Sequence, residues 1–116
     1  MQIKKTYRDL TPELLYHEVR DFTLKQGVVI DSTKMETYSS ATDSSSFVSR
    51  GTLTFKSQDK NGKVGKECLR AHVVGSPRGE IKLIIDLDEK LFPQEKVTAL
   101  QADLDFVFGS YEAQPE

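Results

Sequence analysis

Apolar and polar positions follow two different periods along this chain, and the places where the period changes divide it into elements. From residue 12 to about 26 the spacing is helical. Thr11 is a suitable N-cap, Pro12 suits the first helical position and Glu13 suits the positive end of the dipole. Leu10 is placed to staple onto Leu15. Leu15, Val19 and Phe22 share one face, with Leu14 beside them, and Gly27 supplies the stop. Beyond it the period falls to two. Val28 to Ser40 is rich in Val, Ile, Thr and Tyr and reads as a strand, interrupted near Asp31-Ser32. Phe47, Ser49, Gly51, Leu53 and Phe55 alternate with Val48, Arg50, Thr52, Thr54 and Lys56. Asn61-Gly62 signals a hairpin. Leu69, Ala71 and Val73 then alternate with Cys68, Arg70 and His72. Ser76-Pro77-Arg78-Gly79 has turn chemistry. Ile81, Leu83, Ile85 and Leu87 alternate with Lys82, Ile84, Asp86 and Asp88. After Pro93 the helical period returns. Val97, Leu100, Leu104, Val107 and Phe108 fall within an arc of about 100°, with Glu95, Gln101, Asp103 and Asp105 opposite and Gly109 as the end. Residues 2 to 8 alternate weakly, as a short edge strand does. The segment 112–116 reads as a frayed tail, which makes 1–111 the domain.

The element order is therefore β-α-β-β-β-β-α. Hairpin-length connections make the last four strands an antiparallel meander. Each strand is apolar on one side only, so the sheet is covered once, by both helices on the same face. That is an α+β domain with a wet reverse face. This order resembles the half-repeat of the TATA-binding protein, and it is similar to a reduced helix-grip fold of the START-like lipid-binding domains. The resemblance lies in element order over nearly the whole chain and carries no functional residues with it.

At 116 residues the chain is one domain with room for a real core. Its formal net charge of −2 offers no general pull on nucleic acid or an anionic membrane. One cysteine, Cys68, forms no internal disulfide and suits a reducing compartment. The N-terminal Met-Gln-Ile-Lys-Lys-Thr-Tyr has no apolar run behind its lysines and does not read as a secretion signal. These features predict a soluble, cytoplasmic protein that partners neither nucleic acid nor membrane.

Candidate chemistry is sparse. The Thr37–Gly51 stretch, TYSSATDSSSFVSRG, carries six serines. It lacks both an activating base and the glycines of a phosphate cradle, so it reads as a solvated connection between strands. Cys68 and His72 share a strand face about 13 Å apart, too far for one metal ion or a thiolate pair. His17 lies off the apolar stripe of its helix. Asp86 and Asp88 form the best carboxylate pair, at a spacing that suits a hard divalent cation. No motif calls for a cofactor.

The leading expectation is thus a non-catalytic binding module. One form contacts a protein through the outward sheet face or an edge, with Arg50, Arg70 and His72 on that face and Phe106 as an anchor on the second helix. Another form holds a small apolar ligand between that helix and the sheet, lined by Phe47, Phe55, Leu83, Val97, Leu104 and Phe108. The alternative is a small metal-assisted enzyme using Asp86, Asp88 and His72. The chain is expected to be a monomer, or a weak homodimer paired through the exposed sheet face.

Overall fold

The computed structural model describes residues 1–39, 47–76 and 79–113. The serine-rich loop from Ser40 to Ser46, Pro77 and Arg78 in the predicted turn, and residues 114–116 lie outside the described residues.

Five strands and two helices follow the expected order: β1 (Gln2–Tyr7), α1 (Pro12–Leu24), β2 (Val29–Ser39), β3 (Phe47–Gln58), β4 (Val64–Gly75), β5 (Ile81–Leu87) and α2 (Gln94–Phe108). They form one antiparallel sheet in the order β1-β5-β4-β3-β2. The meander runs outward from β5 to β2, and the N-terminal strand closes the other side.

The start of α1 follows from its sequence. The Thr11 hydroxyl accepts the Leu14 N–H at 3.2 Å, a cap worth about 1 kcal/mol. The helix ends before Gly27, whose φ is +84°. Its buried stripe is Leu15, Tyr16, Val19, Phe22 and Thr23. Leu14, expected beside the stripe, is 46% exposed, and Tyr16 takes the inward place. The slot for Tyr16 is made on β3. A Cβ at Gly51 would stand 2.5 Å from the Tyr16 ring, so this close crossing of helix on strand requires glycine. The Thr23 hydroxyl, fully buried, donates to the Val19 carbonyl at 2.7 Å and is satisfied within its own helix.

The inward positions of β3, β4 and β5 form the floor of the core: Leu53, Phe55, Leu69, Ala71, Val73, Ile81, Leu83 and Ile85 are all essentially inaccessible. The Leu, Ile, Val and Phe side chains among them stabilise the fold by about 1.5–3 kcal/mol each on burial. From above they meet α1 and the Val97, Leu100, Leu104 and Phe108 stripe of α2. Phe108 packs edge-on to Tyr7 of β1 (5.9 Å between centroids) and lies 6.3 Å from Phe22 of α1. It ties both helices to the far side of the sheet. Val107, expected in the stripe, is 40% exposed. The helix does not end through a left-handed glycine: Gly109 has φ −56°, and the chain tightens into a 3-10 turn over Gly109–Tyr111.

Three departures from strict alternation have local causes. The β2–β3 register shifts between Ile30 and Ser32, where the sequence suggests an interruption. A second shift leaves Cys68 without a partner between Glu67 and Leu69. That bulge turns Cys68 out of the outward face to which simple alternation assigns it, and its thiol is buried in the core. Burial is the main cause pushing the thiol pKa up. The third lies between β5 and α2, where Asp88 organises a tight turn. Its carboxylate accepts the Lys90 N–H at 2.9 Å, and its carbonyl accepts those of Leu91 and Phe92. The turn places the Phe92 ring fully inside the core.

The strands are unequal in length. β2, β3 and β4 have 11, 12 and 12 residues, whereas β1 and β5 have 6 and 7. The molecule measures 51 × 30 × 19 Å, and its radius of gyration is 15.0 Å, against roughly 13 Å for a compact chain of this length.

Candidate functional site

The surface that stands apart from the core is built by β2 and the helix-free face of the sheet. Directly paired residues of neighbouring strands share a face, so the register assigns that surface row by row. Glu36, Arg50, Val74, Lys82 and Thr6 form one row. The next is Lys34, Thr52, His72, Ile84 and Lys4. The third is Ser32, Thr54, Arg70, Asp86 and Gln2. Tyr38 and Val48 form a short row at the overhanging end, where β3 has passed the last β4 partner at Ser49. These rows hold five cations (Lys4, Lys34, Arg50, Arg70, Lys82) and two carboxylates (Glu36, Asp86), a local +3 on a chain whose formal charge is −2.

Charge on this face is partly ordered. Lys34 Nζ lies 2.8 Å from Glu36 Oε1, and Tyr38 donates its hydroxyl to the other Glu36 oxygen. These two partners hold the Glu36 carboxyl below the usual range. The Lys34 amine and the Tyr38 hydroxyl are raised by the same hydrogen bonds. Arg70 pairs with Glu67 at 3.0 Å. Deeper in, Thr54 is buried, and its hydroxyl bonds Ser32 at 2.6 Å and Asp31 at 3.2 Å, stitching β2 to β3 beside the bulge.

The two outer edges of the sheet differ. Along the last part of β1, Tyr111–Ala113 lie antiparallel to Thr6–Arg8. Arg8 donates its N–H to Tyr111 O and Ala113 to Thr6 O, both at 2.8 Å, with a bridge between Tyr7 and Glu112. Lys5 Nζ sits 2.9 Å from Glu112 Oε1. Glu112 and Ala113 are therefore paired, not frayed as the sequence suggests, because the end of α2 delivers them to the β1 edge. Along β2, by contrast, no backbone of the described residues pairs with the outer edge. Both helices pack elsewhere: α1 lies on β3 and β4. Most of β2 is therefore exposed and none of its residues is fully buried, although Met35 packs against the core from the helix face.

The residues singled out from sequence fall into separate groups. Arg50, Arg70 and His72 do meet on the outward face, with His72 Nδ1 3.4 Å from the Thr52 hydroxyl. Phe106 is 91% exposed, but it stands on the helix layer, on the other side of the molecule. Of the six residues expected to line an apolar space, Phe55, Leu83, Val97, Leu104 and Phe108 are packed core side chains. Phe47 does not join them. It sits on the overhang and is 37% exposed. Asp86 accepts from Gln2 Nε2 at 2.8 Å, while Asp88 lies past the strand end and holds its own turn. The two carboxylates thus have different local partners. Among the described residues, no three His, Cys, Asp or Glu side chains are grouped so as to hold a metal ion.

Sequence reasoning did not single out Lys34, Glu36 and Tyr38. The signal was present in the alternation Ser32, Lys34, Glu36, Tyr38. Its meaning depends on β2 being the terminal strand, which only long-range pairing decides. Among the described residues, no helix is long and apolar enough to cross a membrane. No protein-family model, curated protein or solved structure matches the chain.

Proposed function

We propose that this protein is a non-catalytic interaction module that receives an extended protein segment along the outer edge of β2. The observation that carries the reading is the unequal treatment of the two sheet edges. The protein closes part of the β1 edge with its own C-terminal residues, while among the described residues no backbone pairs with the outer side of the 11-residue β2. An unpaired strand edge offers a row of N–H and C=O groups to an incoming chain, and the flanking side chains set which chain is accepted. Here Lys34 and Arg50 favour carboxylates at alternate positions of the incoming segment, and Tyr38, Phe47 and Val48 supply apolar contact at the overhang. A cytoplasmic setting goes with this reading, since the lone cysteine is a reduced core residue.

The test is selection of displayed peptides on the purified protein, followed by NMR titration of the winners. The expected result is a set of extended, acidic peptides that shift and protect the backbone amides of Ser32–Tyr38. Peptides that instead perturb α1, α2 or the β1 edge, and leave β2 unchanged, would remove the basis for the proposal.

A further inference from the structure

The β2 edge has a property beyond being open: it is complementary to itself. An antiparallel pair of identical strands, related by a two-fold axis perpendicular to the sheet, keeps each side chain on its own face and fixes the register by one central residue. With Met35 at the centre, Lys34 of one copy lies opposite Glu36 of the other, and Glu36 opposite Lys34. Both residues are on the helix-free face, opposite Thr52 and Arg50 respectively. The internal Lys34–Glu36 pair, 2.8 Å apart in one copy, then becomes a square of four alternating charges. On the helix face, Met35 meets Met35 and Thr33 meets Thr37. Ser32 meets Tyr38 at the ends, short of the bulge at Asp31.

Neighbouring symmetric registers are worse. Centring on Lys34 sets two lysines against each other, and centring on Glu36 sets two glutamates against each other; like charges directly opposite are destabilising. A charged edge ordinarily repels a second strand, and here the repulsion is relieved in the Met35 register.

We infer that the occupant of the β2 edge is a second copy of this chain, forming a closed dimer with a continuous ten-stranded sheet centred on Met35. The inference rests on the edge reading above and names its partner. Assembly stops at two because pairing consumes the β2 edge of each copy and the C-terminal segment covers part of the β1 edge. The two helix layers lie on the same side, and the two cationic faces join into one.

Sedimentation velocity of the full chain across a concentration series, at low and high salt, tests this. The wild type is expected to shift from 13.1 kDa to twice that mass, less readily at high salt. Lys34→Glu and Glu36→Lys each put like charges opposite one another and should each abolish the dimer. Both positions are solvent-accessible on an edge strand, so circular dichroism should show both variants folded. Mixed in equal amounts, the two variants place unlike charges opposite again and should restore the dimer; the register itself is read from the single swaps, because centred on Lys34 or on Glu36 each swap either leaves the like-charge pair as it was or only inverts its sign. A monomeric wild type at millimolar concentration, a dimer insensitive to either swap, or a mixture that stays monomeric would each overturn the inference. If the dimer fails while selected peptides still bind β2, only the self-pairing falls. If the peptides also miss β2, the edge reading falls with it.

Discussion

The two ends of the sheet present the same chemical problem and resolve it in opposite ways. At β1 the strand is short, its inward residues Ile3 and Tyr7 are buried, Tyr7 against Phe108 of α2, and the chain folds back so that Tyr111–Ala113 bond its outer side. At β2 the strand is nearly twice as long, α1 lies over β3 and β4, and most positions are exposed, with Met35 packed against the core from the helix face. Nothing in backbone chemistry separates the two strands. What separates them is which edge the C-terminal helix reaches, and hence where the chain has spare residues to spend on pairing. The difference teaches that an open edge in this fold is a consequence of topology, and that the side chains on it then decide what it accepts.

Breaking the closed side should cost most. Phe108→Ala removes the ring that joins α2 to Tyr7 and Phe22, and a core truncation of this kind costs about 3–5 kcal/mol. Phe47→Ala, on the overhang beside β2, should cost on the order of 0.5 kcal/mol. Urea unfolding of the two variants compares the two sides directly; equal losses would show that the overhang is packed like the core. Next in size is Gly51→Ala. Its methyl group meets the Tyr16 ring at 2.5 Å, and overpacking of this order costs about 1–3 kcal/mol. A neutral outcome in the same assay would mean that α1 can lift from β3 without loss. Ending the chain after Ser110 removes both backbone bonds that cover β1. The expected loss is about 1–3 kcal/mol, together with a rise in light scattering as the newly bared edge finds partners. If the shortened chain neither loses stability nor associates, the C-terminal pairing is not what protects this edge.

Much of this asymmetry was legible in the chain, and the part that was not has a common cause. The helix beginning at Pro12, the alternation through β3 and β5 and the interruption at Asp31-Ser32 are local signals, written in caps, periods and turn residues. The misplaced residues depend on what lies across from them. Tyr16 replaces Leu14 because Gly51 opens a slot on another element. Cys68 turns inward because β4 carries an extra residue opposite β3. Phe92 is buried from a turn, where no period exists to reveal it. The fate of Glu112 and Ala113 depends on contact with residues more than a hundred positions earlier. The candidate site follows the same rule. Arg50, Arg70 and His72 could be set on one face by counting along strands. The importance of Lys34 and Glu36 could not, because it follows from β2 being last in the sheet.

The smallest effect is also the most specific, and it concerns one carboxylate near each edge. Glu80, paired with Arg8 near the end of β1, and Glu36, paired with Lys34 and Tyr38 on β2, are both held below the usual glutamate pKa by those partners. A lowered pKa in the folded state means that the favourable interaction is present above the ordinary carboxylate value and is lost as pH falls through the folded one. Pairing of two β2 edges would bring a second Lys34 amine to each Glu36 and nothing new to Glu80. Glu36 should therefore titrate lower still at high protein concentration than at low, while Glu80 titrates at the same pH in both. The dimer should correspondingly weaken on acidification through the Glu36 value, and salt should blunt the difference, since both groups are near the surface. Side-chain carboxyl NMR across a pH series at two protein concentrations reads both residues in one sample. A Glu36 midpoint that does not move with concentration, under conditions where sedimentation shows the dimer, would place Lys34 of the second copy elsewhere and exclude the register centred on Met35.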